Sequence, residues 1–282
     1  MASSDLKRLI ARVEDLPTLP RTVLRITEMV NDPRASARDL SRIISDDQVL
    51  TARLLKLVNS SFYGFPQRVS TVTGAIVLIG FDAIRNLLLT TSVFDLFPSR
   101  TSKGRRHQES LWDHSLGCAI GAKAIGEILR HEKLEELFVA GLLHDIGKIV
   151  EMTLLPEQFA RITTRVAENR ILISAAEAEV LGCTHADIGR LLAQRWNLPA
   201  KLMSLIEYHH SPAAAGAWAV EASIVHLADI LTRALGLGSG GDDRVPALER
   251  SAWELLKLKA SALDSILAAM LDEFDDIGSF LR

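Results

Sequence analysis

The sequence predicts an all-α, two-lobed multi-helix protein, and three observations support this fold class. Apolar residues recur at helical spacing along almost all of the 282 residues. No stretch combines the alternation of a strand with an Asn-Gly or Asp-Gly hairpin turn. Helix start and stop signals divide the chain into about a dozen helices of ordinary length. We therefore expect helices to pack against helices in both lobes.

Capping residues mark several of these helices. Ser36 and Asp39 form a capping-box pattern before "LSRII", in which each side chain can satisfy a free backbone N–H group. Asn59-Ser60-Ser61 stands at the end of the next helical segment, and we interpret it as a cap rather than a binding edge. Thr184 and Asp187 repeat the capping box before "IGRLLAQRW" in the C-terminal lobe.

The stretch "SARDLSRIISDDQVLTARLLKLV" resembles two helices around a short turn, as in DNA-binding helix-turn-helix motifs. From Arg34 to Lys56 the chain carries five basic and three acidic residues, an excess too small to indicate phosphate contacts. A packing unit is the simpler interpretation, and nucleic-acid binding is the weakest hypothesis for this lobe.

Two loop signals predict the division of the chain. The stretch "PSRTSKGRRH" at 98–107 is polar and basic between two apolar helical segments, as is typical of a lobe boundary. The stretch "GLGSGGDDRVP" at 236–246 is rich in glycine, and we expect it to be a mobile loop. The predicted parts are an N-terminal lobe (1–103), a second helical core (104–236), and the glycine-rich loop with a C-terminal helical extension (237–282).

Composition and charge argue against a membrane or nucleic-acid partner. The chain has 32 Lys and Arg against 35 Asp and Glu, so its net charge is −3. Its longest apolar runs, "AIVLIGF" and "LFVAGLL", are much shorter than the roughly 20 residues that span a bilayer. The start of the chain lacks a signal-peptide pattern, so we expect a cytoplasmic protein. Cys118 and Cys183 are expected to be reduced core residues.

The stretch "LLHDIGKI" places an acid-base pair, His144-Asp145, inside an apolar segment. We predict one helix from about Leu134 to Leu155, with an inward stripe that includes His144 and Lys148. Burial of an imidazole and a carboxylate costs several kcal/mol unless each has a partner. Glycines at both sides of the pair would let a neighbouring element or a ligand come close.

Three further segments carry polar residues on faces that are otherwise apolar. His209 and His210 continue the apolar stripe of "PAKLMSLIEYHH", and Asp229 lies within "AVEASIVHLADILTRAL". His185 stands in the first turn of its helix, where the dipole favours a neutral imidazole that can bind a metal. His114 lies in "LWDHSLGCAIGAKAIG", a helix of small residues that can pack tightly.

A metal ion is the simplest common partner for these residues. A single inward histidine is more often a hydrogen-bonded core residue than a ligand. Here, however, six of the eight histidines lie on inward faces with two aspartates: His114, His144, His185, His209, His210 and His226, with Asp145 and Asp229. Imidazoles and carboxylates without thiolate suit iron or manganese best, with zinc or nickel as alternatives. Asp145 could bridge two such ions, although a metal with a purely structural role stays open.

The order His114, His144-Asp145, Asp229 resembles the signature of the HD superfamily of metal-dependent phosphohydrolases. That resemblance implies a helical core of the HD type in the C-terminal lobe, with those four side chains around one metal ion.

His185 and the pair His209-His210 are similar to the second-metal ligands of the HD-GYP branch, the cyclic di-guanylate phosphodiesterases. Lys148 matches the lysine that lies near the substrate phosphate in that branch. The chain departs from the pattern after His210, where it continues "SPAAAGAW" instead of the Gly-Tyr-Pro segment. The departure argues against cleavage of a cyclic dinucleotide.

The N-terminal lobe resembles a particular subfamily. The stretch "LPTLPRTVLRITEMVNDPRASARDL" and the later "AIVLIGFDAIRNLLL" are similar to the HDOD family, a bacterial signalling group, and the resemblance runs from about Leu16 to Leu235. HDOD domains are generally regarded as regulatory relatives of HD hydrolases, and many have lost metal ligands. This sequence keeps a full set.

Three functions are therefore hypotheses. The first is a regulatory module with one or two divalent transition-metal ions that acts through a signalling protein partner. The second is a metal-dependent phosphohydrolase for a nucleotide, a cyclic nucleotide or another phosphate-containing small molecule, with Asp145 and Lys148 as catalytic residues. The third is a nucleic-acid-binding module. The predicted metal ligands are His114, His144, Asp145, His185, His209, His210 and Asp229.

Overall fold

The computed structural model describes residues 19, 21–30, 32, 34–60, 63–93, 96–98 and 101–281. These residues form helices and connecting loops without a β-strand, which confirms the all-α prediction. Two compact units are present: the larger contains Phe97–Met270, and the smaller contains the described residues before Phe97 and after Met270. These are packing units, and the predicted functional boundaries at residues 103 and 236 stay a prediction.

The smaller unit contains four consecutive helices: α1 (Arg21–Val30), α2 (Ala37–Ser45), α3 (Gln48–Val58) and α4 (Val72–Val93). The predicted capping box is confirmed at α2, where Ser36 accepts from the Asp39 N–H and Asp39 accepts from the Ser36 N–H. Asn59 also caps as predicted, since its side-chain amide donates to Leu55 O at 2.6 Å. Ser61 of the predicted cap lies outside the described residues.

The larger unit is built from the remaining elements. They are α5 (Ser102–Ile128), α6 (Leu134–Leu143), α7 (Ile146–Leu154), α8 (Pro156–Asn169), α9 (Ile173–Leu181), α10 (His185–Arg195), α11 (Ala200–Tyr208), a 3₁₀ segment (Pro212–Trp218), α12 (Ala219–Leu235), α13 (Arg250–Leu256) and α14 (Ala262–Leu281), whose end belongs to the smaller unit. The first of these helices begins inside the polar stretch predicted as a loop. Thr101 caps it by accepting from the Gly104 N–H at 3.0 Å, and this cap lets a basic sequence start a helix.

The predicted single helix over 134–155 is wrong, because the chain breaks at His144-Asp145. Helix α6 ends at Leu143 and α7 begins at Ile146, and Asp145 has φ −99° and ψ 14° between them. The Lys148 N–H donates to Asp145 O at 3.0 Å and so starts the new helix. The break turns two consecutive polar side chains toward the same interior region, which a continuous helix would separate by about 100°.

The glycines beside this break allow two close helix contacts. A Cβ added at Gly141 would lie 2.7 Å from the Ala119 Cα on α5, so these two backbones touch. A Cβ added at Gly147 would overlap the carbonyl oxygen of His185 at the start of α10. The sequence prediction of a close approach is therefore correct, and what approaches is backbone from the protein itself.

The predicted glycine-rich loop is present, but it packs against helices of the larger unit, to which it belongs, instead of forming a free linker. The Ser239 N–H donates to Ser110 O at 2.9 Å. Asp242 is buried, and its carboxylate accepts from the Ile173 N–H at 2.8 Å. Glycine allows the loop to lie directly on the backbone of α5.

Among the described helices, the stretch Pro212–Leu235 is long and apolar enough, by length and composition, to cross a membrane. This is weak evidence, because 61% of its most apolar window is buried inside the protein. The stretch contains α12, whose residues from Ala222 to Thr232 are buried in the core of the larger unit.

Candidate metal centre

Asp145 lies between two groups of histidines. Its Oδ2 atom is 3.3 Å from His114 Nε2 and 3.3 Å from His144 Nε2. Its Oδ1 atom is 3.1 Å from His185 Nε2 and 3.7 Å from His209 Nε2. One carboxylate therefore presents a different oxygen to each group, which is the arrangement that a bridging ligand between two metal ions requires.

The first group, which we call site 1, consists of His114, His144 and Asp229. Their candidate ligand atoms all lie within 4.8 Å of one another. His114 Nε2 is 3.2 Å from Asp229 Oδ1, and the rings of the two histidines are 5.3 Å apart. Site 1 thus gathers side chains from α5, from the break after α6, and from α12.

The second group, which we call site 2, consists of His185, His209 and His210. Their candidate ligand atoms also lie within 4.8 Å of one another. His185 begins α10, while the two consecutive histidines follow the last residue of α11. The His185 and His210 Nε2 atoms are 3.0 Å apart, a distance at which two imidazoles need a shared proton or cation.

Hydrogen bonds behind the rings fix the tautomers of three histidines. The contacts are His144 Nδ1 to Gly141 O at 2.7 Å, His209 Nδ1 to Ile206 O at 2.7 Å, and His185 Nδ1 to Glu177 Oε2 at 2.6 Å. Because a carbonyl or carboxylate oxygen only accepts, each Nδ1 must carry the proton and donate it. Each Nε2 then points a lone pair into the centre, as metal-binding histidines do.

Several buried polar atoms of the centre have no hydrogen-bond partner among the described residues. They are His114 Nε2, His144 Nε2, Asp145 Oδ1 and Asp229 Oδ2. The ion-pair distances around His114 are short, but their directions do not suit a hydrogen bond. Each such atom costs about 1–3 kcal/mol when it is left unsatisfied. A cation would satisfy all four, so the residues fit a metal ion.

The pKa shifts of the ligand residues go in two directions. Burial lowers the pKa values of His114 and His185, but hydrogen bonds to Asp145 and Asp229 raise that of His114, and the charge of Glu177 raises that of His185. This direction at His185 is opposite to the neutral ring that its place in the first turn of the helix predicted.

The other shifts favour the protonation states that bind metal. Burial, followed by the charge of neighbouring histidines, holds the pKa values of His209 and His210 well below the usual range. Burial alone would raise the pKa of Asp145, but the neighbouring His144 and Lys148 hold it well below its usual range. The two histidines are therefore neutral and the aspartate is ionised, which is the state that a metal needs.

Lys148, predicted to lie near a substrate phosphate, is fully buried in the centre. Its Nζ atom donates to Asp145 Oδ2 at 2.6 Å. The ammonium group thus neutralises the oxygen of Asp145 that faces site 1. Its position toward a substrate stays a prediction.

Sequence reasoning missed the residues that support the ligands. Glu177 is fully buried and accepts from both the His185 N–H and the His185 ring. Arg233 donates from Nε to Asp229 Oδ1 at 2.9 Å. Burial and then the charge of Glu177 raise the pKa of Glu151 well above its usual range, so this neighbouring carboxyl group is neutral. A glutamate on the apolar helix "ISAAEAEVL", eight residues before His185, was an available signal for the first of them.

His226 faces inward, as the sequence predicted, but its ring is already satisfied by the backbone. Its Nδ1 donates to His209 O at 2.8 Å, and its Nε2 accepts from the Glu249 N–H at 3.1 Å. It is a hydrogen-bonded core histidine that supports the turn carrying His209.

The centre is closed to solvent on most sides. Of the seven predicted ligand residues, all except His210 are at most 1% exposed, and His210 is half-buried. Among the candidate ligand residues, His210 of site 2 is therefore the one with the most solvent exposure.

Comparison with known proteins gives a consistent picture. The HDOD domain family matches residues 16–212. The solved structure of an HDOD domain protein of unknown function from Geobacter sulfurreducens is 26% identical and has a TM-score of 0.80, covering 99% of this chain and 98% of that chain. A candidate phosphohydrolase from Shewanella amazonensis is 26% identical with a TM-score of 0.75, covering 97% of this chain and 98% of that chain.

A curated relative is an uncharacterised protein from Treponema pallidum (strain Nichols). It is 31% identical over 204 residues, which are 71% of this chain. The chain spans only 38% of the length of that relative. The similarity thus concerns a part of that protein and not its full architecture.

Proposed function

The chain belongs to the HDOD family, and from this membership we propose that it is a regulatory module with a closed metal centre. The centre holds one or two divalent transition-metal ions, with iron or manganese favoured over zinc or nickel because the donors are imidazoles and carboxylates. The burial of the centre is the observation that carries this proposal, since six of its seven candidate ligand residues are at most 1% exposed.

Site 1 and site 2 would each hold one ion, with Asp145 between them. Structural metal sites are usually closed, whereas catalytic sites keep a position open for water or substrate. An ion here would join side chains from α5, the α6–α7 break, α10, α11 and α12. Whether the metal is bound would then affect the packing of these helices. A signalling protein partner in the cytoplasm would recognise that packing.

Metal content and turnover, measured together, test this proposal. The purified protein should contain one or two transition-metal ions per chain, and His144→Ala should reduce that content. The rate at which the wild type hydrolyses cyclic dinucleotides and simple phosphodiesters should not exceed the rate measured for the Asp145→Asn variant. Turnover that Asp145→Asn abolishes would overturn the regulatory assignment, and a protein without bound metal would overturn the centre itself.

A metal-dependent phosphohydrolase is the second candidate, and the contact between Lys148 and Asp145 favours it. Bound ions would supply an activated water and polarise a phosphoryl group. Lys148 would place an ammonium charge beside them, 2.6 Å from the carboxylate that lies between the sites. Substrate would have to enter at the half-buried His210. The similarity to the Shewanella amazonensis protein, a candidate phosphohydrolase, supports this alternative.

Loss of turnover in Lys148→Met with unchanged metal content would establish this second function. The third hypothesis, nucleic-acid binding by α2 and α3, is not proposed, because no observation favours it.

A further inference from the structure

Arg233 connects the candidate ligand Asp229 to the glycine-rich loop. It lies one turn after Asp229 on α12, and its Nε donates to Asp229 Oδ1 at 2.9 Å. One of its terminal nitrogens donates to Asp242 Oδ1 at 3.1 Å and to Arg244 O at 3.2 Å. The side chain is only 6% exposed, so this guanidinium is a buried link between the two carboxylates.

The loop segment 236–244, which we call the strap, is held around Asp242. One oxygen of its carboxylate accepts from the Ile173 N–H at 2.8 Å at the start of α9. The other oxygen accepts from the Arg244 N–H at 2.9 Å as well as from Arg233. A buried carboxylate with these bonds fixes the strap, whereas an uncharged side chain would lose the ion pair.

The strap also contacts α5, the helix that carries His114 of site 1. Gly238 has φ +67°, and a Cβ added there would overlap the backbone nitrogen of His114. The Ser239 N–H donates to Ser110 O on the same helix. A Cβ added at Gly240 would lie 2.7 Å from a terminal nitrogen of Arg233. The strap therefore lies against the backbone of one candidate ligand and against the arginine that orients another.

From these contacts we infer that Arg233 is a positioning residue for Asp229 and that it couples ion binding in site 1 to the order of the strap. The inference rests on the proposed metal centre. Arg233 holds Asp229 Oδ1, so the carboxylate is already oriented beside His114 before an ion arrives. If the ordered strap improves binding at site 1, an ion at site 1 must stabilise the ordered strap by the same factor.

The histidines of site 2 are held by residues outside the strap, so the coupling should concern site 1 only. His185 is backed by Glu177 and His209 by the carbonyl group of Ile206. A change in the strap should therefore alter binding at site 1 and leave binding at site 2 unchanged.

Asp242→Asn tests the inference in the purified protein, with Asp243→Asn as the matched control. Both substitutions remove one negative charge from the strap, but Asp242 is buried and paired while Asp243 is exposed. Mn²⁺ affinity is measured by calorimetry in a His210→Ala background, which retains site 1, and in a His114→Ala background, which retains site 2. Hydrogen exchange of the strap amides is followed with and without Mn²⁺.

In the wild type, Mn²⁺ should slow exchange of the strap amides. Asp242→Asn should weaken Mn²⁺ binding about 10-fold or more in the background that retains site 1. It should leave the Mn²⁺ affinity unchanged in the His114→Ala background, which retains site 2. In Asp242→Asn, Mn²⁺ should no longer slow hydrogen exchange of the strap amides. Asp243→Asn should behave like the parent protein in both measurements.

Gly240→Ala keeps every charge and pushes on the guanidinium of Arg233, so it serves as a second variant if Asp242→Asn does not fold. In the His210→Ala background, Gly240→Ala should weaken Mn²⁺ binding less than Asp242→Asn does. Equal Mn²⁺ affinity of the variants and the control, in a protein that binds Mn²⁺, would overturn the coupling alone. A wild type that binds no ion would overturn the proposed function and this inference together.

Discussion

At the residue scale, Asp145 determines how the two sites are related. Its backbone leaves the helical conformation, and its two oxygens face different histidine groups. A helical residue at the same place would present its side chain to one neighbouring helix face only. The pair His144-Asp145 can therefore serve two sites because the backbone between α6 and α7 is broken.

Glu177→Gln should weaken metal binding at site 2 about 10-fold. Without the negative charge of Glu177, the Nε2 atom of the His185 ring is a weaker metal ligand. Gln has the same shape and can still accept from the His185 N–H, so the fold should be retained. Mn²⁺ titration in the His114→Ala background measures the effect, and circular dichroism checks the fold.

Glu179→Gln is the control on the same helix, since its side chain is 53% exposed and pairs with Arg165 at the surface. Equal affinities for the two variants would show that Glu177 has no influence on the metal and only fills space.

The sequence allowed the prediction of every residue that the structure gathers in sites 1 and 2, because imidazoles and carboxylates on apolar helix faces are unusual. Among the supporting residues, Glu177 left a signal as a glutamate on an apolar helix, but Arg233 could not be predicted. Arg233 is placed by its contacts with Asp229 and Asp242, which lie on either side of it in the chain, and a basic residue at the end of a helix is ordinary in sequence. Such pairing depends on tertiary structure that spacing does not reveal.

At the element scale, the contact between α7 and α10 depends on Gly147. Gly147→Ala would place a methyl group onto the carbonyl oxygen of His185. Because both partners are backbone atoms, the helices must separate, at a cost of about 1–3 kcal/mol or more. Urea unfolding should show a lower midpoint, and metal binding at site 2 should weaken as His185 moves.

Gly104→Ala adds the same methyl group in the first turn of α5 and should leave the midpoint unchanged or raise it. A stable Gly147→Ala variant with normal metal binding would show that the two helices can separate without cost.

Helix starts were predicted best where a side chain caps them. The capping boxes at Ser36 and Thr184 are present as predicted, because they depend on residues three positions apart. The break at His144-Asp145 was missed, because the apolar pattern continues on both sides of it and the two polar residues also fit the inward face of one helix. Periodicity alone cannot distinguish these two arrangements.

At the scale of the whole molecule, an ion in the centre would connect helices that are far apart in the chain, from His114 on α5 to Asp229 on α12. Ligands that bind only the folded state stabilise it by mass action. At an ion concentration of 100 times Kd, this contribution is about 2.7 kcal/mol.

Removal of metal with a chelator should therefore lower Tm by about 5 °C in a protein of this size. Differential scanning calorimetry of the wild type with and without EDTA measures the change. The double variant His114→Ala with His210→Ala, in which both sites have lost a ligand, should show almost no response to EDTA. An equal response of both proteins would mean that the chelator acts elsewhere.

The overall fold class and the family could be predicted from sequence because helical periodicity and the N-terminal lobe resemblance extend over most of the chain. The HDOD family match over residues 16–212 confirms that prediction. The packing of the glycine-rich loop could not be predicted, since glycine and serine are equally typical of free linkers. Its order depends on Asp242, Arg233 and the start of α9 together.

The half-buried position of His210 has a kinetic consequence for an otherwise closed centre. Hydrated ions lose their water stepwise, and the first protein donor that they can meet is the imidazole nearest to solvent. Site 2 would then fill and empty quickly, while an ion at site 1 would be trapped behind it and exchange slowly. Two sites with similar ligands would in this way differ in their rates of metal exchange. When the metal concentration changes, the occupancy of site 1 would follow more slowly than that of site 2.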